Sequence, residues 1–254
     1  MDQRILYSVV DGLATITLNR PEKRNALDAQ MVDELHAAVL RGVNAPEVRV
    51  IMLAGAGAAF CAGADLAYLQ EISTNDILAN QRDSQSLMRL LHAIYTSPKP
   101  TVAAVRGPAL AGGCGLVTVC DITIAADDAT FGYPEVRIGF IPAIVMVFLR
   151  YRVGDAIAKD LVLRGTTISA TEAHRIGLIA HVVSKDAFAT LCAEIVGDLR
   201  KGGASALALA KQMFTALPGM SLDAGLEYAA SMNALARQTE ECRAGIAKFL
   251  SRVK

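Results

Sequence analysis

The chain has 254 residues, with 25 basic and 25 acidic side chains and no net formal charge. It is long enough to bury a substantial core, and it lacks the global positive field that draws a protein onto nucleic acid or anionic lipid. The start MDQRILYSVV has no basic-then-apolar signal pattern, and the longest charge-free apolar run, Gly107 to Cys120, is too short to span a bilayer. These features predict a cytoplasmic protein with no nucleic-acid or membrane partner. Cys61, Cys114, Cys120, Cys192 and Cys242 are odd in number and include no C-x-x-C, so they are expected to be free thiols, with no metal site.

Alternating apolar and polar residues in RILYSVVDGLATITLNR, on both sides of Asp11-Gly12, predict an opening β-hairpin. Asp28 is placed to cap a helix whose Met31, Val32, Leu35, Ala38 and Val39 form one apolar stripe. The aliphatic runs at 48–54, 101–107 and 121–126 alternate with helical stretches, including a long helix at 76–96. That alternation argues a largely parallel, buried sheet. After about Val145 the strand signal fades, and Ser169-Ala-Thr-Glu172 reads as a capping box opening a further helix. From Leu191 onward the pattern is helical, broken at Gly202-Gly203 and LPGMS. The expected division is an α/β core at 1–190 and a helical region at 191–254.

Two predicted strands end in glycine-rich turns with few polar residues, LAGAGAAFCAGADL and RGPALAGGCG. Ligands of open α/β sheets bind beyond the carboxyl ends of strands, where helix N-termini present unpaired N–H groups. Two such turns side by side could aim two N–H groups at one oxygen, as an oxyanion hole does. Close helix packing would use the same glycines. A dinucleotide site is excluded, because no G-x-G-x-x-G follows the first strand with an acidic residue about 20 positions on.

The ordered set NRPEKRNALD, FCAGADL, LAGGCGL, CDITIAADDATFGYPEVRIGFIP and AGIAKFLSRVK resembles the crotonase, or enoyl-CoA hydratase/isomerase, family over essentially the whole chain. The resemblance implies an α/β spiral of ββα repeats and a helical C-terminal trimerisation region, with assembly as a homotrimer or homohexamer. It also implies an acyl-CoA thioester substrate passing through an enolate, with CoA part of the substrate and no separate cofactor. By position, the oxyanion donors would be the backbone N–H groups of Ala64 and Gly112, flanked by Ala62 and Gly113. Lys23, Arg24 and Ala26 would approach CoA, and Phe249 and Arg252 would reach it from a neighbouring subunit. Tyr68 and Leu69 follow the loop and are expected to line an acyl pocket, and Leu66 and Ala143 are expected to contact the substrate or CoA. Asp65 falls in the same loop, although capping of the next helix explains it as well.

The family's hydratases generally carry two catalytic glutamates. One is present here as Glu135; the position of the other is Gly115. A single carboxylate suffices to take a proton from C2 of a 3-enoyl thioester and return it at C4. Hydration must also activate a water, and losing one positioned acid or base costs about 10²–10⁴-fold. Double-bond isomerisation is therefore the expected activity. The alternatives are a hydratase or hydratase-lyase with a second group from elsewhere, an acyl-CoA hydrolase, and a non-catalytic CoA- or RNA-binding relative. Where hydratases often read IPGGGG this chain reads IPAIVMVFL, so Ile144, Val145 and Met146 form either a drier wall or an ordinary buried helix, and Gly115→Glu is expected to place a second carboxylate opposite Glu135 with a partial gain in hydration. Asp121 reads as a strand-entry residue. His36, His92, His174 and His181 fall outside the glycine turns and read as structural or exposed.

Overall fold

A computed structural model describes residues 3–252, Arg252 by its backbone alone. The hairpin forms where it is predicted. β1 (Ile5–Val10) pairs antiparallel with β2 (Leu13–Leu18), and Asp11 and Gly12 take φ of 48° and 78°, as a two-residue turn between right-twisted strands requires. α1 (Ala29–Asn44) is capped by Asp28, which accepts from the Met31 N–H at 2.9 Å, and it buries the predicted stripe.

β3 (Val50–Gly55) leads through α2 (Leu66–Ile72) and α3 (Ile77–Tyr95) to β4 (Thr101–Val105). β5 (Pro108–Leu110), α4 (Gly112–Val119), β6 (Ile122–Ala126) and β7 (Thr130–Gly132) follow. A 3₁₀ turn, Pro134–Ile138, precedes α5 (Ala143–Arg164), β8 (Thr167–Ser169), α6 (Ala170–Arg175) and β9 (His181–Val183). The chain ends in α7 (Lys185–Lys201), α8 (Ala204–Ala216), α9 (Leu222–Gln238) and α10 (Glu240–Arg252). The main sheet has the order β1-β2-β3-β4-β6-β9, parallel beyond the hairpin, and a small sheet has the order β5-β7-β8.

Both faces of the main sheet are covered, which is why its central strands read as continuous aliphatic runs. One face packs Ile51, Leu53, Ala103 and Val105 into the large core with α1 and α3, while Val50, Val102 and Ile124 face Cys192 and Val196 of α7. Burial pushes the thiols of Cys61, Cys114 and Cys120 up to about 12 and that of Cys192 to about 11, so all four behave as small core hydrophobes.

Three expectations need correction. Strands do not stop near Val145, because β8 and β9 each close a sheet edge; at three residues apiece they are too short to show a period. The boundary at 190/191 falls inside α7, which belongs to the core through Cys192 and Val196. The capping box is half formed: Ser169 accepts from the Glu172 N–H at 3.2 Å, but the Glu172 carboxylate pairs with Arg175 instead. Asp121 does pin a strand entrance, accepting from the N–H and hydroxyl of Thr101 at 2.7 and 2.8 Å and from Lys211 of α8. The four histidines are exposed or half-buried, and His181 opens β9.

Candidate active site

Cys61 bridges Ala109 in parallel, and Ala109 faces Phe131 in the parallel ladder of β5 and β7, so three backbone segments run side by side in register. Three residues beyond Cys61 comes Ala64, three beyond Ala109 comes Gly112, and four beyond Phe131 comes Glu135. These advances of three, three and four residues carry the three past the same end of the layer. It is the carboxyl end, where α/β proteins bind ligands.

Close contacts hold the segments there. The Ala111 N–H donates to Gly132 O at 2.8 Å, and the Leu110 N–H to Cys61 O at 2.9 Å. Gly113 lies so near the 61–64 loop that a Cβ on it would stand 2.3 Å from Cys61 O. Gly63, with φ of 93°, leaves room for Ala111, whose Cβ would be 2.6 Å from a Cβ added to Gly63. Ala111 itself takes φ 50° and ψ −125°, a backbone that costs a non-glycine residue about 1–3 kcal/mol. Strain at this one residue turns the chain out of β5 and sets the first N–H of α4.

Among the described residues, the Ala64 and Gly112 N–H groups have no protein acceptor. The neighbours of Ala64 are fully engaged: Leu27 N–H bonds Gly63 O, Asp65 N–H bonds Leu27 O, and Ala62 N–H bonds Arg24 O. Gly112 is the first residue of α4, where no intrahelical partner exists and the helix dipole favours negative charge. Two oriented donors, held by bonded neighbours and free themselves, can receive charge on an oxygen.

Glu135 stands in the 3₁₀ turn, 8% exposed, and its Oε2 is buried without a hydrogen-bond partner. Burial raises its carboxyl above the usual range, partly offset by a bond from its own N–H. Among the described residues it has no ion-pair partner. A buried carboxylate left unpaired, with its pKa raised by burial, is suited to take up and release a proton.

Gly115 is fully packed. A Cβ there would lie 2.6 Å from Val145 Cγ2 on α5, so Val145 occupies the space in which a side chain at 115 would start. This corrects two expectations. Gly115→Glu alone would press its Cβ onto Val145, which must shift to admit it, and of the three wall residues only Val145 is buried, while Ile144 packs on the core and Met146 is 43% exposed.

The remaining predicted residues divide. Lys23 and Arg24 are exposed beside buried Ala26, and Arg24 O receives the Ala62 N–H, so this group lines the donor loop. Asp65 is committed to structure. Its Oδ1 caps α2 through the Ala67 N–H at 2.9 Å and its Oδ2 pairs with Arg20 at 2.8 Å. Burial alone would raise its pKa, but these bonds hold it below the usual value. The Tyr68 hydroxyl donates to Asp83 and joins α2 to α3, whereas Leu66 and Ala143 are exposed. Phe249 is 70% exposed on α10, and the side chain of Arg252 lies outside the described residues.

Sequence reasoning missed Arg20 and Asn25. Asn25 is fully buried; its amide donates to the carbonyls of Ala56, Ala59 and Phe60 at 2.8–3.2 Å and its Oδ1 accepts from the Arg20 N–H, shaping the turn after β3. A polar residue between Arg24 and Ala26 at a strand-to-helix turn was the available signal.

The profile of the enoyl-CoA hydratase/isomerase family matches residues 9–254. The chain belongs to this family. It is 42% identical to a Thermus thermophilus protein provisionally named enoyl-CoA hydratase, over 94% of this chain and 95% of that one. It is 33% identical to the crotonyl-CoA hydratase of Syntrophomonas wolfei, over 99% and 96%. A Legionella pneumophila crystal structure described provisionally as an enoyl-CoA hydratase/isomerase (crotonase) superposes with a TM-score of 0.91, at 33% identity, over 98% of this chain and 96% of that one. As a crotonase-family enzyme the protein acts on acyl-CoA thioesters, and it has the crotonase fold with a helical C-terminal region. No described helix is long and apolar enough to cross a membrane.

Proposed function

We propose that the protein shifts the double bond of an enoyl-CoA, with Glu135 as the one proton carrier. The observation that carries this reading is the pairing of a buried, unpartnered Glu135 with a Gly115 whose side-chain space Val145 already fills. The Glu135 carboxylate takes a proton from C2 of a 3-enoyl thioester, and the freed electron pair spreads through the dienolate to the thioester oxygen. The N–H groups of Ala64 and Gly112 hold that oxygen. Electrons then return to form the C2–C3 double bond, and the Glu135 carboxylic acid gives its proton to C4. Nothing is added or lost, so no water needs a site. CoA arrives as part of the substrate, and no other cofactor enters.

A second reading, hydration of a 2-enoyl-CoA, is favoured by the names of the relatives from T. thermophilus and S. wolfei. It requires water to add across C2–C3 with one carboxylate and no counterpart at 115. Incubating the enzyme with a short 3-enoyl-CoA and, separately, a short 2-enoyl-CoA distinguishes the readings. Isomerisation predicts that the 3-enoyl thioester is consumed much faster; preferential consumption of the 2-enoyl thioester with formation of the 3-hydroxy product establishes hydration.

We further propose assembly as a homotrimer or homohexamer. Phe214, Leu222, Leu226 and Phe249 on the last three helices are between 60% and 78% exposed, and packing against copies of the chain would cover them. Light scattering at micromolar concentration tests this, and a monodisperse monomer refutes it.

A further inference from the structure

The loop that carries the Ala64 N–H is held from two sides. Cys61 N–H bonds Pro108 O on one side, and the strand-like run from Arg24 to Leu27 bonds Ala62, Gly63 and Asp65 on the other. The second side is irregular backbone, with Arg24 and Asn25 both at positive φ, 51° and 56°, between a short 3₁₀ turn and α1. Something must fix it.

The buried Asn25 side chain holds the turn, and one guanidinium ties it to the two helix starts. Arg20 Nη1 lies 3.2 Å from Ala26 O, 2.8 Å from Asp65 Oδ2 and 3.2 Å from Asp28 Oδ2. Asp28 caps α1 and Asp65 caps α2, so the three oxygens belong to the two helix starts and to the backbone between them. Arg4 completes the cluster by pairing with Asp28, and Glu22 lies 4.0 Å from Arg20 Nε, so two cations face three carboxylates. The Arg20 N–H is in turn held by Asn25 Oδ1 at 2.8 Å. Asp65 directly follows Ala64, and the Arg20 side chain is only 16% exposed, so water does not readily replace it.

We propose that Arg20 is a positioning residue that aims the Ala64 N–H at the substrate oxygen by locking Asp65 and Ala26 on either side of it. This rests on the reading of Ala64 as an oxyanion donor. A displaced donor lowers turnover without removing the binding of CoA, because only the charge that develops in the transition state is affected. Loss of one such donor costs about 10²–10³-fold in kcat, and a tilted donor is expected to cost roughly 10-fold or more.

The test uses the whole protein and butyryl-CoA labelled with ¹³C at the thioester carbonyl, whose infrared stretch is read free and bound. In the unsubstituted protein the donors should move the stretch to lower frequency. Arg20→Met should lose at least half of that shift and lower kcat roughly 10-fold or more, while KM changes less than about threefold. Arg20→Lys should restore part of both. A folded Arg20→Met with the full shift and unchanged kcat overturns the positioning role, whereas absence of a shift in the unsubstituted protein overturns the oxyanion reading itself. If Arg20→Met does not fold, Asp65→Asn, which keeps a cap but removes the ion pair, carries the same readouts: a reduced shift supports the proposal and a full shift overturns it.

Discussion

Val145 stands where a side chain at position 115 would have to begin: a Cβ on Gly115 would lie 2.6 Å from Val145 Cγ2, 3.5 Å from Cγ1 and 3.6 Å from Cβ. The glycine and the valine are therefore complementary. A side chain at 115 and the valine at 145 cannot share this packing unless one of them moves. Under the proposed isomerisation, Glu135 is the one carboxylate that moves the proton.

The first prediction concerns Glu135→Gln. The amide keeps the shape but cannot accept the proton from carbon, so kcat should fall by at least about 10²-fold with little change in thioester affinity. Near-normal turnover in a steady-state assay would remove Glu135 as the base.

The same substitution should raise stability at neutral pH. Burial lifts the folded-state pKa of Glu135, so the folded chain binds the proton more tightly than the unfolded chain. That contribution is present below the unfolded value of about 4.3 and is lost as pH rises through the higher folded value. At pH 7 the buried carboxylate costs stability, and Glu135→Gln should have the higher Tm. The difference should shrink as the melts are repeated toward pH of about 4, where wild type is protonated too. The pH profile of kcat/KM should rise along a limb centred above the ordinary glutamate range, and a midpoint at or below that range would contradict the raised pKa.

Ala111 provides a test of stored strain. At φ 50° and ψ −125°, glycine is comfortable and alanine is not. Ala111→Gly should relieve about 1–3 kcal/mol of strain, less roughly 0.4–1 kcal/mol for the greater freedom of the unfolded chain. The net expectation is a higher denaturation midpoint together with slower turnover, because the α4 N–H groups are held less firmly. A lower midpoint in a denaturant titration would show that the alanine is not strained.

The limits of the sequence can be located residue by residue. The hairpin at Asp11-Gly12, the α1 stripe and the parallel strands were legible because each rests on a local period or a turn dipeptide. Glu135 and the two glycine turns were legible as an ordered set, although only the register of Cys61, Ala109 and Phe131 explains why they meet. Asp65 was legible as a cap, but not its ion pair. The fit of Val145 to Gly115 joins residues on separate helices 30 positions apart, and that of Arg20 to Asp65 spans 45; no local pattern encodes either. β9 and the core role of α7 were missed for the same reason, since edge pairing and sheet cover are tertiary properties.

The final prediction follows from the opening contact. Gly115→Glu alone should be overpacked and lose about 1–3 kcal/mol of stability, with the new carboxylate turned away from its intended place. Val145→Gly alone should also destabilise, by leaving a cavity and a glycine in α5, and should not add a proton carrier. Combining them gives the glutamate the room that Val145 now fills, so the double variant should be more stable than the two separate losses predict when added. It should also raise hydration of a short 2-enoyl-CoA relative to isomerisation of the 3-enoyl thioester, because water then has space and a second carboxylate to hold it. Two carboxylates near one another repel, so one should keep its proton to higher pH and the hydration optimum should move upward. Melting curves and both assays across pH, on wild type, the two single variants and the double, decide the matter. If Gly115→Glu alone melts like wild type and already hydrates as well as the double variant, Val145 is not the barrier. If wild type itself hydrates a 2-enoyl-CoA at around 10² s⁻¹ or more, a rate typical of an efficient enzyme, one carboxylate is enough for hydration and isomerisation is not the main reaction.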